Sequence, residues 1–237
     1  MIIDRDLLKK EASGFGVELD STALERFDVL AEMLIEKNKV MNLTSIIEPN
    51  DILVKHFLDS LSFFSAVAPG VGAKVIDVGT GAGFPGIAFL IARPDLTLTL
   101  LDSTKKKLAF IKEVLSELKL TAVTYHARAE EAGRNKEYRE NYDFAVARAV
   151  SGMNELSEYC MPFVKIGGKF VAMKGPGAEE ELGKAKQAIR LLGGTVREVK
   201  SFQLMDAGER NIIIIERLYP SPYKYPRPSA QIAKKPL

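Results

Sequence analysis

The sequence of 237 residues is poor in the side chains that build redox and metal sites, with one cysteine, two histidines and no tryptophan. Because Cys160 is alone, no disulfide can form within the chain, and we expect a cytoplasmic protein. The histidines and the cysteine do not combine with carboxylates at metal-ligand spacing, so we predict no bound metal.

Long apolar runs and a strong charge bias are also missing. No stretch approaches the ~18–20 apolar residues of a membrane-spanning helix, and the charged N-terminus is no signal peptide, so we expect no membrane partner. There are 33 Lys and Arg residues against 31 Asp and Glu residues, a net charge of +2. Nucleic-acid binding would therefore need a local basic patch. A monomer is the default expectation.

The sequence pattern changes near residue 70. Before it, apolar residues recur at helical spacing, and we predict a helical extension over residues 1–70, with a capping box from Ser21 to Glu25 and a second helix over 51–64. After it, we predict one α/β domain over residues 71–237. The proline-rich, basic tail from Tyr219 onward is predicted to be extended and to lie on the surface.

Strand-like and helix-like segments alternate in the second region. Strands are predicted over residues 74–78, 97–101, 121–125, 143–147, 167–173, 196–203 and 211–217, and helices over 85–92, 104–118, 153–162 and 179–192. This order predicts a mostly parallel, Rossmann-like sheet of seven strands. The last two strands should be antiparallel, because the link from Leu204 to Arg210 is too short for a crossover. The arrangement resembles the class I S-adenosylmethionine-dependent methyltransferases.

The most informative motif is the glycine turn after the first predicted strand, Val75-Ile76-Asp77-Val78-Gly79-Thr80-Gly81-Ala82-Gly83-Phe84-Pro85-Gly86. Glycine at alternate positions permits positive φ and a close approach of a ligand to the main chain. The helix start that follows presents free N–H groups to a polar or anionic group. The motif therefore indicates a nucleoside-containing cofactor.

Two cofactors are compatible with this spacing. Gly79, Gly81 and Gly83 match the alternate-glycine turn of methyltransferases, whereas the dinucleotide fingerprint G-x-G-x-x-G would begin at Gly81. The first glycine should directly follow the strand, which is predicted to end at Val78, so S-adenosylmethionine is favoured. No Tyr-x-x-x-Lys pair is present to serve a dehydrogenase. A catalytically silent cofactor binder remains a third alternative.

Two carboxylates end predicted strands near this turn. Asp102 ends the second strand, where its two oxygens can accept both hydroxyls of a ribose. Capping of the next helix at Ser103 and Thr104 is an alternative role that is compatible with the first. Asp77 is expected to orient the turn or the amino group of a methionine, unless it is only a strand-end carboxylate.

Several segments together resemble the RsmG (GidB) family of ribosomal small-subunit methyltransferases G. They are Met41-Asn42-Leu43-Thr44, His56-Phe57-Leu58-Asp59-Ser60, residues 75–86, Leu101-Asp102-Ser103, Arg128-Ala129-Glu130-Glu131, Ala147-Arg148-Ala149, Lys174-Gly175 and Tyr225-Pro226-Arg227. The likeness runs from about residue 37 to the end. The family commonly has a tryptophan before this region, where the chain has Glu36, and the difference affects a packing contact.

The resemblance implies a reaction and a set of site residues. The reaction is methyl transfer from S-adenosylmethionine to N7 of one guanine near the decoding centre of 16S rRNA, in naked rRNA or in the small ribosomal subunit. Gly79 and Phe84 would line the cofactor, Ala129 and Glu130 would meet its adenine, and Arg148 would face the active site. With the residues discussed above, the expected cofactor-binding set is Asp77, Gly79, Gly81, Gly83, Phe84, Asp102, Ser103, Thr104, Ala129, Glu130 and Arg148.

The chemistry of that reaction agrees with what the sequence lacks. Guanine N7 carries a lone pair and no proton, so its attack on a sulfonium methyl needs alignment and exclusion of water but no general base. We therefore predict no catalytic acid or base, and a positioning role for Arg148. Motifs for other methylations are missing: the position after the fourth strand reads Ala147-Arg148-Ala149-Val150, and Cys160 is predicted to be a buried filler.

Basic residues just past the predicted strand ends are candidates for binding the rRNA substrate. They are Arg128, Arg148 and Lys174, all at the carboxyl edge of the sheet, where open α/β sheets bind ligands. Alternatively they form only salt bridges, with Glu130, Glu131 or Asp143. His56, together with Asp59, is predicted to line the substrate entrance, although a packing histidine is an alternative.

Two other functions remain open at this point. One is an S-adenosylmethionine-dependent methyltransferase that acts on another RNA, a protein or a small molecule. The other is a non-catalytic, RNA-binding ribosome-assembly factor. The intact glycine turn and Asp102 argue against the second, because a silent binder has no need of a cofactor pocket.

Overall fold

A computed structural model describes residues 1–148 and 151–237. The described residues form one seven-stranded sheet in the order β3-β2-β1-β4-β5-β7-β6. Its strands are β1 (Lys74–Val78), β2 (Thr97–Asp102), β3 (Val123–His126), β4 (Tyr142–Arg148), β5 (Val164–Lys174), β6 (Gly194–Gln203) and β7 (Glu209–Arg217). Strands β1 to β5 are parallel, and β7 runs antiparallel to both β5 and β6. The predicted fold class and the antiparallel final pair are confirmed.

The strand sequences explain their places in the sheet. Ile212 to Ile215 in β7 are all buried, and such a continuous apolar run suits a strand covered on both faces. Strand β5 begins at Val164, earlier than the predicted 167, and its pairing with β4 is irregular between Tyr142 and Phe144. The sequence pattern does not reveal the early start, because Lys165, two glycines and Lys169 interrupt the apolar run before Phe170.

Helices cover both faces of the sheet. They are α1 (Arg5–Gly14), α2 (Ser21–Met41), α3 (Pro49–Asp51), α4 (Asp59–Leu61), α5 (Gly86–Ala92), α6 (Lys105–Glu117), α7 (Ala129–Ala132), α8 (Met153–Cys160), α9 (Ala178–Leu191) and α10 (Ser229–Lys234). Successive strand residues point to opposite faces, so Val75 joins the core under α5 and α6, whereas Ile76 joins the core under α8 and α9. No helix in the described ranges is long and apolar enough to cross a membrane.

The helices before β1, α1 to α4, form an N-terminal layer that has no core of its own. Phe27 and Phe57 are fully buried in the same hydrophobic cluster as α5, α6 and one face of the sheet. The predicted capping box at Ser21 is wrong, because Asp20 is the N-cap of α2 and its Oδ1 accepts from the Ala23 N–H at 2.7 Å. An aspartate caps as well as a serine and stands one residue earlier.

The predicted helix over 51–64 is a continuous helical segment over residues 49–65 with an unusual interior. Its two α-helical pieces, α3 and α4, flank a wider π-helical turn, Ile52–Leu58, and a 3₁₀ turn, Ser62–Ser65, completes it. Single π turns inside helices are frequent at functional sites. The apolar periodicity predicted a helix correctly, but it does not distinguish an α turn from a π turn.

The C-terminal tail, residues 219–237, differs from its prediction as an extended surface segment. It contains the short helix α10, and Ser221, Tyr225 and Ile232 are buried. Tyr225 belongs to the core cluster under α8 and α9. The proline-rich composition predicts an extended local conformation, but it does not predict that an aromatic side chain of the tail packs into the core.

Candidate active site

The glycine turn lies between β1 and α5, at the carboxyl edge of the sheet. A Cβ added to Gly81, which has φ of +61°, would meet nothing closer than the Gly79 carbonyl oxygen at 4.0 Å. At Gly83, a Cβ would lie 2.4 Å from Cδ1 of Ile87. Gly81 therefore leaves its backbone open to a ligand, whereas Gly83 allows the turn to pack closely on α5.

Asp102, at the end of β2, ties this turn to the start of the next helix. Its Oδ2 accepts from the Gly81 N–H at 2.9 Å, and its Oδ1 accepts from the Thr104 N–H at 2.7 Å. A carboxylate offers about four acceptor positions, so each oxygen retains capacity for a ligand hydroxyl. The geometry therefore combines the helix-start role with an acceptor site for a diol.

Asp77, at the end of β1, is fully buried under the turn. Its Oδ2 accepts from the Thr80 hydroxyl at 2.6 Å and from the Gly86 N–H at 2.9 Å, while its Oδ1 has no hydrogen-bond partner among the described residues. Burial raises the pKa of Asp77 to about 6, with the two hydrogen bonds acting in the opposite direction. Asp77 thus holds the turn and keeps one buried oxygen free to accept a hydrogen bond.

Three neighbouring cavities among the described residues follow the carboxyl edge of the sheet. The inner cavity, about 220 Å³, is lined by Val78, Gly79, Leu101, Asp102, Ser103, Ala127, Arg128, Ala129, Glu130, Tyr159 and Ser229. The central cavity, about 420 Å³, is lined by Leu43, Thr44, His56, Gly79, Thr80, Gly81, Ala82, Phe84, Asp102, Ser103, Thr104, Lys107 and Arg148. The outer cavity, about 390 Å³, is lined by Ile46, Lys55, His56, Asp59, Ser62, Arg148, Met173, Lys174, Gly175, Arg210, Asn211 and Ile212.

Shared walls connect these cavities in a row. Gly79, Asp102 and Ser103 border both the inner and the central cavity. His56 and Arg148 border both the central and the outer cavity. Of the predicted cofactor residues, only Asp77 and Gly83 lie outside these walls, where they support the turn from below.

Arg148, the last residue of β4, is held by the π-helical turn and by α4. Its Nη1 donates to the Lys55 carbonyl at 3.0 Å and to Asp59 Oδ2 at 2.8 Å, and its guanidinium lies over the Phe84 ring. Nη2 contacts Nδ1 of His56 at 3.1 Å. The guanidinium is therefore fixed in position between the central and outer cavities.

His56 is neutral in this setting, and its tautomer follows from its neighbours. Burial, with the nearby charge of Arg148, lowers the pKa of His56 to about 3. A guanidinium can only donate, so Nδ1 of His56 accepts from Arg148 and the ring proton resides on Nε2, which donates to Thr44 Oγ1 at 3.1 Å. The ring stacks on Phe84 with 4.5 Å between centroids and planes 2° apart.

The outer cavity contains a cation that the sequence reasoning missed. Arg210 donates through Nε to Asp59 Oδ1 at 2.9 Å, so one carboxylate bridges Arg210 and Arg148. Strand β7 is antiparallel, which places its first residues at the carboxyl edge of the parallel strands. This direction was predicted, and it could have identified Arg210 as a site residue.

The predicted substrate-binding cations separate into two places. Arg148 and Lys174 share the outer cavity, whereas Arg128 is exposed beside the inner cavity. Salt bridges do form, but with other partners than those predicted: Arg148 pairs with Asp59 and Lys174 with Glu181. Asp143 instead pairs with Lys165.

Two further sequence predictions concern the region around α8. Cys160 is fully buried, and burial raises the pKa of its thiol, which keeps the thiol protonated and unreactive. Both observations agree with the predicted role as a buried filler. Ala149 and Val150, which complete the segment after the fourth strand, lie outside the described residues.

Tyr159 and Ser229, which line the inner cavity, were not identified from the sequence.

Solved structures share this architecture. TrmN from Thermus thermophilus has a TM-score of 0.52 at 15% identity, covering 70% of this chain and 53% of that chain. TYW2 from M. jannaschii, solved in complex with AdoMet, has a TM-score of 0.51 at 14% identity, covering 65% and 73%. At this identity the likeness concerns the fold alone. The fold is that of the class I S-adenosylmethionine-dependent methyltransferases.

Sequence comparison narrows the class to a family. The GidB family model, described as rRNA small subunit methyltransferase G, matches residues 23–213. Proteins named ribosomal RNA small subunit methyltransferase G are 45% identical in Alkaliphilus oremlandii, over 98% of both chains, and 46% identical in Acetivibrio thermocellus, over 98% of this chain and 96% of that one. A third, from Brevibacillus brevis, is 45% identical over 94% of both chains. The chain belongs to the rRNA small subunit methyltransferase G family.

Proposed function

We propose that this protein transfers the methyl group of S-adenosylmethionine to N7 of a guanine in the 16S rRNA of the small ribosomal subunit. The carrying observation is the row of three cavities, which joins a diol-accepting carboxylate, an open glycine turn and a cluster of cations. From the inner to the outer cavity, these features match the adenosine of the cofactor, its methionine part and the anionic backbone of RNA.

The described residues fit the cofactor. Asp102 would accept the ribose hydroxyls, Ala129 and Glu130 would lie against the adenine, and Gly79 and Gly81 would leave room for the methionine part. Ser103, Thr104 and Phe84 complete the walls. Asp77 lies below the cavity walls, so we assign it the role of orienting the glycine turn against the cofactor. When bound, S-adenosylmethionine supplies an electrophilic methyl group on sulfur.

The site residues support N7 as the acceptor atom. His56 is neutral and uses both ring nitrogens in hydrogen bonds, and Arg148 only donates, so neither can take a proton from a nucleophile. An N7 lone pair needs no such base. What the walls provide is alignment and exclusion of water, which can supply a large share of the rate enhancement.

Arg148 is the residue that we assign to positioning the guanine. Of its five N–H groups, three donate to Lys55, Asp59 and His56, which leaves two free among the described residues. Directed at guanine O6 or an adjacent phosphate, they would orient the base. The stacked rings of His56 and Phe84 provide a flat surface beside it.

The outer cavity is assigned to the RNA backbone. Lys55, Lys174 and Arg210 border it with Arg148, and Asp59 is the carboxylate among its lining residues. With their partners Asp51, Asp59 and Glu181 counted, four cations meet three carboxylates. A local positive charge of this kind attracts phosphates even though the net charge of the chain is small. Arg128 is proposed as a further rRNA contact from the adjacent rim. A ribosomal substrate supports a cytoplasmic location, and a monomeric protein stays a prediction.

The test uses labelled S-adenosylmethionine and small subunits from cells that lack this protein. After incubation, transferred methyl is counted and the rRNA is tested for aniline-induced cleavage at 7-methylguanine. We expect label at one guanine, and none with the Asp102→Ala variant. Label at another atom would contradict the N7 assignment, and absence of label despite cofactor binding would contradict rRNA as the substrate.

A further inference from the structure

The C-terminal tail is anchored to the body of the protein through its backbone. Arg134 donates through Nε to the Pro226 carbonyl at 2.8 Å, and Arg139 donates through Nη1 to the Tyr225 carbonyl at 2.8 Å and through Nη2 to the Ser221 carbonyl at 3.0 Å. These carbonyls belong to a proline-rich stretch that has no strand partner. The arginines thus stabilise one path of the tail across the surface.

A buried ion pair fixes the tail at its centre. Glu158, on α8, has a fully buried carboxylate, and it accepts from Arg227 at three points: the backbone N–H at 2.7 Å, Nε at 2.9 Å and Nη2 at 2.7 Å. A buried carboxylate without its partner is strongly unfavourable. The docked tail is therefore required to satisfy Glu158.

This ion pair lies directly beside the inner cavity. Tyr159, the neighbour of Glu158 on α8, and Ser229, two residues after Arg227, are both wall residues of that cavity. Ile232, fully buried, anchors α10, the helix that begins at Ser229. The tail therefore supplies one wall of a cavity whose other walls come from β1, β2 and the start of α7.

We infer that the C-terminal tail is a structural part of the cofactor site, with Ser229 and Tyr159 contacting the adenosine end. This inference rests on the proposed location of the cofactor at Asp102. The family model stops at residue 213, before the tail, whereas the relatives named above match almost the whole chain and so extend into it. In this inference Arg227 serves cofactor binding by docking the tail on Glu158. The alternative role for the tail is contact with rRNA.

A docked tail and a bound cofactor should stabilise each other. If the tail contributes a wall to the bound state, cofactor binding must favour the docked tail to the same extent as docking favours binding. Binding should therefore slow hydrogen exchange in residues 225–232. This reciprocal effect is independent of catalysis.

The experiment compares Ser229→Trp with Gln231→Trp, an exposed position on the same helix. Affinity for S-adenosylhomocysteine is measured by calorimetry, with thermal unfolding as the control for folding. We expect Ser229→Trp to weaken binding by at least about tenfold, because the indole would fill the cavity, and Gln231→Trp to leave it unchanged. Arg227→Ala should weaken binding and accelerate exchange in the tail.

Asp102→Ala separates this inference from the proposed function. If Asp102→Ala abolishes binding while Ser229→Trp and Arg227→Ala bind as the unmodified protein does, the cofactor site stands and the role of the tail is refuted. If Ser229→Trp weakens only rRNA binding, the tail is an RNA contact instead. If Asp102→Ala itself has no effect, the location of the cofactor is wrong.

Discussion

Single side chains at this site serve structure and ligand binding at once. Asp102 accepts two backbone N–H groups, from the glycine turn and from the start of α6, and in the proposed function it also accepts the ribose hydroxyls. Hydrogen bonds to a charged acceptor are stronger than neutral ones. One carboxylate therefore couples the shape of the turn to cofactor affinity.

Replacement of Asp102 by alanine should remove both contributions. We expect the affinity for S-adenosylhomocysteine to fall by at least about 100-fold, since each charge-assisted hydrogen bond contributes ~1.5–3 kcal/mol. Calorimetry measures the change, and Asp206→Ala, at an exposed carboxylate, is the matched control. Affinity within threefold of the unmodified protein would contradict the role of Asp102.

His56 makes the stability of the fold dependent on pH. Its pKa is about 3 in the folded chain and about 6.5 when unfolded, so between these values only the unfolded chain binds the proton, and stability is lost as the pH falls below 6.5. Asp77 acts in the opposite sense, because its raised pKa of about 6 lets the folded chain hold a proton that the unfolded chain releases.

The two contributions can be separated with His56→Gln. Asp77 is common to both proteins, so the difference in unfolding free energy between them reports on His56 alone. As the pH rises from about 4 to 6.5, the unfolding free energy of the unmodified protein should increase relative to that of His56→Gln by up to about 1.4 kcal/mol per pH unit. Above about pH 7 the difference should be constant. Urea titrations at several pH values provide the measurement, and an equal difference at pH 5 and pH 7 would refute it.

At the scale of the element, the π-helical turn Ile52–Leu58 connects the N-terminal layer to the site. The Lys55 carbonyl accepts from Arg148, and Asp59, immediately after the turn, bridges Arg148 and Arg210. This segment therefore determines where two guanidinium groups of the outer cavity stand. We regard Asp59 as a positioning residue, since it acts through the arginines.

Asp59→Asn should impair the rRNA step and leave cofactor binding intact. Asp59 lines only the outer cavity, and Arg148 keeps its bonds to Lys55 and His56 in the variant, so S-adenosylhomocysteine affinity should stay within about twofold. Methyl transfer to small subunits should fall by about 100-fold through a higher KM and a lower kcat. Asp95→Asn, which removes the partly exposed pair with Arg93 away from the three cavities, is the control. A parallel loss of cofactor affinity would show that the effect of Asp59 is only structural.

At the scale of the whole molecule, a nearly neutral chain gathers positive charge at one edge of its sheet. Arg148, Lys174 and Arg210 come from β4, β5 and β7, and Lys55 comes from the N-terminal layer. The parallel strands end at this edge and the antiparallel β7 begins there. The topology thus builds a local basic patch that the net charge of +2 does not reveal.

The triple variant Arg128→Ala, Arg148→Ala, Lys174→Ala tests the cations along this edge that we propose as rRNA contacts. Each phosphate contact contributes about −0.7 to −0.9 to the slope of log affinity against log salt, so we expect weaker rRNA binding and a slope reduced in magnitude by about 2. The control replaces Lys105, Lys106 and Lys112, which are exposed on α6. An unchanged slope in the site variant would refute the RNA role.

The sequence by itself determined the sheet, the glycine turn and the placement of Asp102 beside it. Strand periodicity, glycine at positive φ and a carboxylate at a strand end are local properties, carried by residues close together in the chain. The same local signals predicted helices in the N-terminal layer, although they misplaced the cap of α2 and did not reveal the π turn.

Only the tertiary structure decided how distant residues combine. Asp59 and Arg210 lie 151 positions apart, and Glu158 and Arg227 lie 69 apart. No periodicity relates such residues, because their pairing depends on strand order and on which surfaces the cores bring together. The charge bridge of the outer cavity and the docking of the tail beside the inner cavity are therefore properties of the folded chain alone.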